Sequence, residues 1–504
     1  MKGENGMKIG FDNDKYITMQ SEQIRKRIGE FGGKLYLEFG GKLFDDTHAS
    51  RVLPGFQPDS KLRMLLALRD QAEIVIAVSA EALESAKRRG DSGITYDQEV
   101  LRLIDMFRSV GLYVGSVVIT RNNGIQPAAE ALRTVLQEHD IPVFRHYFIN
   151  GYPSNVPLIV SEDGFGKNDY IETTRPLVVV TAPGPGSGKL ATCLSQLYHE
   201  NRRGIHAGYA KFETFPVWNL PLKHPINLAY EAATADLSDV NMIDPFHLNA
   251  YQKVTVNYNR DVESFPILSA IFKEIYGKCP YQSPTDMGVN MVGYCISDDL
   301  VCQEASRQEI VRRYYKALLE RVNDRKDQGL HEREIMRIES IMDQAGITSN
   351  YRKTVIPAKR TAEESGEPAA AIEMPDGTII TGKTKQMLGC LSSMLINAIK
   401  YLAGIDDELE LIPKHLLDPV QKLKTSYLGA ENPRLHSDET LIALAVNAAT
   451  DENAEKALQA LPKLRGCDAH LTVIPSEIDI EVFRRLNINL TCEPKYQGTK
   501  LFRL

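Results

Sequence analysis

Three observations predict an α/β protein. Short apolar runs alternate with amphipathic helical patterns through the N-terminal part of the 504-residue chain. One of these runs, Leu177-Val178-Val179-Val180-Thr181, passes directly into a glycine-rich turn and then a helical pattern. The alternation resumes near the C-terminus, after a hairpin signal. Together they predict a three-layer, mostly parallel sheet domain with a phosphate-loop-like turn, a helical middle region and a smaller C-terminal α/β domain. The expected boundaries are 1–224, 225–360 and 361–504.

The elements follow in order. Lys34 to Phe39 reads as a strand, and Lys61 to Arg69 as a helix capped by Asp59 or Ser60. Glu73 to Val78 is a continuous apolar strand. A helix begins at Asp97, with Val100, Leu101, Leu103, Ile104 and Phe107 on one stripe, and Gly111 ends it. Leu112 to Ile119 is the next strand, Pro127 to Glu138 the next helix, and Ile141 to Phe144 the strand after it. Pro157 to Asp163 reads as an apolar strand ending in carboxylates. Gly208 to Asn219 alternates as an aromatic strand, with Lys211 and Glu213 on one face and the only tryptophan, Trp218, at its end. Beyond Pro225 strand signals fade. Helical periodicity is clearest over Gln308–Leu319 and Glu332–Ala345, and Arg360 to Pro368 is the most linker-like stretch. Pro375-Asp376-Gly377 then joins two strand-like runs. Helices are expected at Lys385–Ala403, Glu439–Ala449 and Asn453–Ala460. The strand His470–Ile474 precedes a helix opened by the capping box Ser476-Glu477-Ile478-Asp479, and Asn489–Cys492 is the last strand.

Composition narrows the function classes. Lys and Arg number 59 against 66 Asp and Glu, a net charge of −7, which argues against a broad basic face for nucleic acid. No apolar run approaches the ~18 residues of a membrane helix. The segment Met1–Gly6 has no apolar core of a secretion signal, so a cytoplasmic protein is expected. Seven cysteines at irregular spacing imply neither a disulfide framework nor a zinc knuckle.

The sharpest motif is Thr181-Ala182-Pro183-Gly184-Pro185-Gly186-Ser187-Gly188-Lys189-Leu190-Ala191-Thr192. Glycines let backbone amides converge on an anion, the new helix presents its positive end, and the Lys189 ammonium neutralises charge. Gly184, Gly186, Ser187, Gly188, Lys189 and Thr192 are therefore the candidate ligand-binding set. The phosphate-loop pattern has glycine where Pro183 stands and a magnesium-binding hydroxyl where Leu190 stands, so a plain strand-to-helix turn is the competing reading. Glu162 and Asp163 are candidate ligands for Mg²⁺ beside the phosphates. After the first strand, Glu38, Lys42, Asp45, Asp46 and His48 crowd acid, base and cation into one segment. His48 is a candidate general base, the aspartates orienting groups or metal ligands, and Lys42 an anion binder. Asn241, Asp244 and His247 share helical offsets that could hold a metal. Thr378 to Thr384, with Gly382-Lys383-Thr384, is either a second anion site or a helix cap.

The runs Gly10-Phe11-Asp12-Asn13-Asp14-Lys15-Tyr16, Leu35-Tyr36-Leu37-Glu38-Phe39-Gly40-Gly41-Lys42-Leu43, Gly164-Phe165-Gly166-Lys167-Asn168-Asp169-Tyr170, Thr181 to Lys189, and Ser283-Pro284-Thr285-Asp286-Met287-Gly288-Val289-Asn290 resemble a bacterial domain-of-unknown-function family, the one numbered eighteen-forty-six. The resemblance spans nearly the whole chain. It implies a multidomain α/β protein with a helical insertion and a smaller C-terminal lobe, and it supplies no catalytic residues. An ATP-dependent peptidase label on some members finds no counterpart in Ser–His–Asp, H-E-x-x-H or Cys–His spacing here. The function expected is a cytoplasmic enzyme that binds a nucleotide or other small phosphorylated molecule, with ATP or another nucleotide and Mg²⁺ as cofactors, and catalyses group transfer or ligation. The alternative is a non-hydrolysing phosphate sensor or structural protein. Neither nucleic acid nor membrane is expected as a partner, and a homo-oligomer is open.

Overall fold

The structure is a computed structural model, and it describes residues 8–41, 43–44, 46–89, 93–324 and 328–497. The described residues fall into two compact units, 10–230 with 239–302, and 231–238 with 303–497 together with 8–9.

The larger unit is built on a seven-stranded sheet. Its strands are β1 (Leu35–Phe39), β2 (Ala72–Ser79), β3 (Tyr113–Asn122), β4 (Val143–Tyr147), β5 (Leu177–Thr181), β6 (Gly208–Phe212) and, after a small antiparallel pair β7 (Asn241–Ile243) and β8 (Val256–Tyr258), β9 (Gly288–Val289). The spatial order is β4-β3-β2-β5-β1-β6-β9, and every pairing is parallel. This bears out the parallel α/β expectation. The apolar runs explain it: β2 and β5 are buried along their whole length, as strands covered on both faces must be. Helices Tyr96–Ser109 and Pro127–Glu138 form where the sequence places them, the first opened by a Thr95/Gln98 capping box and the second by a proline at its N-terminus.

Two features were not legible as read. Residues 157–163 are not a strand. Asn155 caps a short helix, Val156–Ile159, and Pro157 in its first turn lacks the amide that a sheet ladder needs. The helices Asn13–Glu30 and Asn259–Tyr276 carry weak apolar stripes yet each runs for 18 residues. The first is fixed at its start by Asp12, whose carboxylate accepts from the Lys15 amide at 3.0 Å.

The connections reverse direction at the centre of the sheet. From β2 the chain moves outward to β3 on one side, and from the adjacent β5 it moves across β1 to β6 on the other. Ligands of doubly wound sheets bind beyond the carboxyl ends of the strands at such a reversal.

The smaller unit holds β10 (Ala369–Glu373), β11 (Ile379–Lys383), β12 (Asp468–Leu471) and β13 (Asn489–Cys492) in the order β11-β10-β12-β13. The sheet is mixed: only the β12–β13 pair is parallel. The expected hairpin forms across Pro375–Gly377, and Ser476 caps the Glu477–Arg485 helix as the motif implies. The segment read as a linker is instead the helix Val355–Ser365, stopped by Gly366 in the left-handed conformation. Its Arg, Ala and Glu content favours helix, and only Ser365-Gly366-Glu367-Pro368 carries the stop. The core gathers Ile372, Met394, Leu395, Ile399, Leu444 and Phe483. Among the described residues no helix is long and apolar enough to cross a membrane.

Candidate functional site

At the carboxyl end of β5 the chain turns through Ala182–Gly188 into the 14-residue helix Lys189–Arg202. Gly188 is left-handed, with φ +88°, and a Cβ there would lie 2.8 Å from Thr120 Oγ1. A Cβ on Gly184 would meet the Tyr96 hydroxyl at 2.2 Å. So the first glycine makes room for Tyr96, and the last combines a sharp turn with a close approach to β3. A bulge in β3 places Arg121 at φ +56° and aims Thr120 at the turn, where its hydroxyl donates to the Ser187 carbonyl at 2.9 Å.

The amides of Gly184, Gly186, Gly188 and Lys189 make no hydrogen bond with a carbonyl or side chain of the described residues. Lys189 makes no ion pair among them. The two hydroxyls of the candidate set face inward. Ser187, 1% exposed, donates to the Gly184 carbonyl at 3.0 Å, and Thr192, fully buried, donates to the Gly188 carbonyl at 3.0 Å.

Glu162 and Asp163 are not brought to this turn. Glu162 pairs with Arg202 and accepts from the Tyr198 hydroxyl at 3.3 Å, and Asp163 pairs with Lys167 at 3.3 Å. At 1.5 Å per residue, Tyr198 and Arg202 lie about 14–20 Å along the helix from Lys189. Asp244 is likewise committed, one oxygen capping Phe246 and His247 and the other accepting from Thr285. Among the described residues, one group of three could surround a cation, His436, Asp438 and Glu439, and Glu439 there is already paired with Lys424 at 2.8 Å.

The carboxyl end of β1 stands beside β5, and that of β6 stands one strand further out. Lys42 and Asp45 lie outside the described residues. Asp46 caps the helix Thr47–Val52 through the Ala49 amide and pairs with Lys61 at 2.7 Å. Burial would raise its pKa, but the Lys61 ammonium and these hydrogen bonds outweigh burial and hold it below the ordinary value. His48, on that helix, packs edge-on against Phe215 at 5.2 Å and beside Tyr230 at 6.0 Å. Glu38 accepts from the Tyr209 hydroxyl at 2.7 Å and is the β1 residue in register with Lys211 on β6.

Lys211, on the strand expected to be aromatic and alternating, leads to a largely buried network. Its ammonium pairs with Asp261 and with Glu213 at 3.0 Å, and donates to the Tyr258 hydroxyl at 2.6 Å. The Trp218 indole N–H donates to the other oxygen of Glu213 at 3.1 Å. Burial alone would lower the lysine's pKa, but Asp261, Tyr258 and Glu213 drive it well above its usual value. Glu213 is raised from 4.5 to about 7, chiefly by burial; Lys211 opposes the shift and Asp261 adds to it. One ammonium thus serves two carboxylates, and the second carboxylate protonates near neutrality. The Lys211/Glu213 alternation was visible in the sequence. Asp261 and Tyr258, from a region without clear periodicity, were not.

The electrostatics tie these parts together: Glu38 acts on Lys211, Tyr209 and Cys193, and Lys189 acts on Cys193 one turn into its own helix. The loop after β5, Glu38 on β1 and the β6 network thus neighbour one another along one edge.

Two family models cover the chain, Domain of unknown function DUF1846, N-terminal, over residues 9–346, and its C-terminal counterpart over residues 350–502. A UPF0371 protein of Corynebacterium aurimucosum is 58% identical over 97% of this chain and 98% of its own. UPF0371 proteins of Corynebacterium diphtheriae and Streptococcus thermophilus are 57% and 55% identical, each over 98% of this chain and 99% of their own. Across nearly its full length, then, the chain belongs to the DUF1846 family of UPF0371 proteins.

Proposed function

We propose that the chain is a cytoplasmic enzyme that binds a small phosphorylated ligand, a nucleotide foremost, on the Gly184–Lys189 turn and catalyses group transfer or ligation. One observation carries the reading. Four unengaged amides and an ammonium without a carboxylate partner among the described residues gather at the start of a long helix, where the sheet reverses its winding. A multivalent oxyanion is the ligand that such donors suit. Just past β6, Glu213 adds a group able to move a proton near neutral pH, with the Lys211 ammonium beside it. Seven free cysteines suit a reducing compartment.

A second reading, a phosphate sensor that does not hydrolyse its ligand, is favoured by Leu190 at the metal-binding position and by the inward hydroxyls of Ser187 and Thr192. Calorimetry with ATP, GTP and inorganic phosphate on the wild type and on Lys189→Ala tests both. Loss of one charge-assisted contact is worth about 1.5–3 kcal/mol, so the variant should bind roughly 10- to 100-fold more weakly. Affinity that is absent, or untouched by the substitution, overturns the reading. Binding without product, with or without Mg²⁺, selects the sensor.

A further inference from the structure

We propose that the smaller unit carries a second anion site, for a small phosphate monoester with a hydroxylated body, in an open cleft between β11 and the helices Val355–Ser365 and Cys390–Ala403. The cleft holds about 400 Å³, at the small end of the roughly 300–1,000 Å³ of ligand pockets. Its charge comes from Lys383 and Lys385, which line it and make no ion pair among the described residues. The one carboxylate at the cleft, Glu364, stands 3.9 Å from Arg360, so cationic groups exceed anionic ones.

Strand geometry explains why these groups converge. Gly382 is turned onto the covering helix so closely that a Cβ would lie 2.1 Å from the Met394 amide nitrogen. Thr381 and Lys383, on either side of it, share the opposite direction and line the cleft. The glycine therefore serves helix packing rather than an anion loop, and it is Lys383 that the packing presents. Asn397 donates to the Thr381 carbonyl at 2.8 Å, which fixes its amide at the cleft wall. The Thr361 and Thr381 hydroxyls also line the cleft and make no hydrogen bond with the described residues. Two ammonium groups suit a dianionic phosphate, and the hydroxyls and amide suit the alcohol groups of its body.

The site is independent of the Gly184–Lys189 turn, and the experiment separates the two. Calorimetry on the full chain uses inorganic phosphate and glycerol phosphate. Lys189→Ala should still bind one equivalent of glycerol phosphate. Adding Lys383→Ala and Lys385→Ala should weaken that binding at least 10-fold, and Glu364→Gln should tighten it by removing a like charge. The lysines are exposed, so the variants keep the fold. If the Lys189→Ala protein binds neither probe, or binds with an affinity that survives both lysine substitutions, the cleft is not a site. Equal binding by wild type and Lys189→Ala, lost only with Lys383 and Lys385, supports the cleft and rejects the turn.

Discussion

Glu213→Gln isolates the titration of the buried network. In the folded protein the Glu213 carboxyl is raised from 4.5 to about 7. Because the folded-state value lies above the unfolded one, its favourable contribution is complete below pH 4.5 and is lost as pH rises through about 7. A shift of that size corresponds to about 3 kcal/mol across the window. The glutamine keeps an oxygen for the Trp218 indole N–H but has no proton to lose. Urea unfolding of both proteins at pH 5 and pH 8, followed by tryptophan emission, measures the difference. Trp218 is the only tryptophan in the chain, so the signal belongs to the larger unit. Between pH 5 and 8 the wild type should lose most of that ~3 kcal/mol relative to Glu213→Gln. Native-state emission should change with a midpoint near pH 7 in the wild type and stay flat in the variant. A stability difference between the two proteins that does not vary with pH would refute the assignment of the proton to Glu213.

Two further substitutions test the turn. Gly188→Ala forces a side chain into a left-handed position against Thr120, at a cost of about 1–2 kcal/mol from conformation alone. Thermal unfolding should show the loss, Thr120→Ala should restore part of it, and a Gly188→Ala protein as stable as wild type would contradict the geometry. Glu162→Gln should leave nucleotide affinity in Mg²⁺ unchanged, since Arg202 and Tyr198 hold that side chain far along the helix from Lys189; a clear fall in Mg²⁺-dependent affinity, read by calorimetry, would show that Glu162 reaches the ligand.

What the sequence disclosed and what it hid divide along physical lines. The central strands were legible because a parallel strand covered on both faces must be apolar throughout, as Ile74–Val78 and Val178–Val180 are. The Pro127 and Ser476 helix starts were legible because caps are local chemistry. Residues 157–163 misled because apolar composition in a short run does not distinguish strand from helical turn, and Pro157 was the neglected signal. The turn after β5 was visible in outline, but the inward rotation of Ser187 and Thr192 depends on carbonyls placed by the fold. Asp46 read as a catalytic candidate because an acid beside a histidine looks functional; only the tertiary contact with Lys61, fifteen residues on, shows how it is held. Asp261 reaches Lys211 from a helix whose periodicity was too weak to predict.

The two edges of the large sheet treat charge differently. At the amino ends of the strands, Glu200 is matched by Lys34 at 2.5 Å and by the Tyr36 hydroxyl at 2.6 Å, one carboxylate to one ammonium. Such a pair ties a helix to a strand. At the carboxyl ends, Lys211 faces Asp261 and Glu213, with Glu38 opposite it across the β1–β6 pairing. Setting one partly buried ammonium against a partly buried and a buried carboxylate costs free energy that an apolar cluster would not. Under the proposed function, the imbalance would supply a group that accepts or releases a proton beside a bound oxyanion. The imbalance lies at β6, separated from the β5 turn by β1, which carries Glu38. On the proposed reading, anion binding at the turn and proton affinity at Glu213 would be coupled through the same few residues, and the pH series with and without phosphate would show it as a shift in the midpoint.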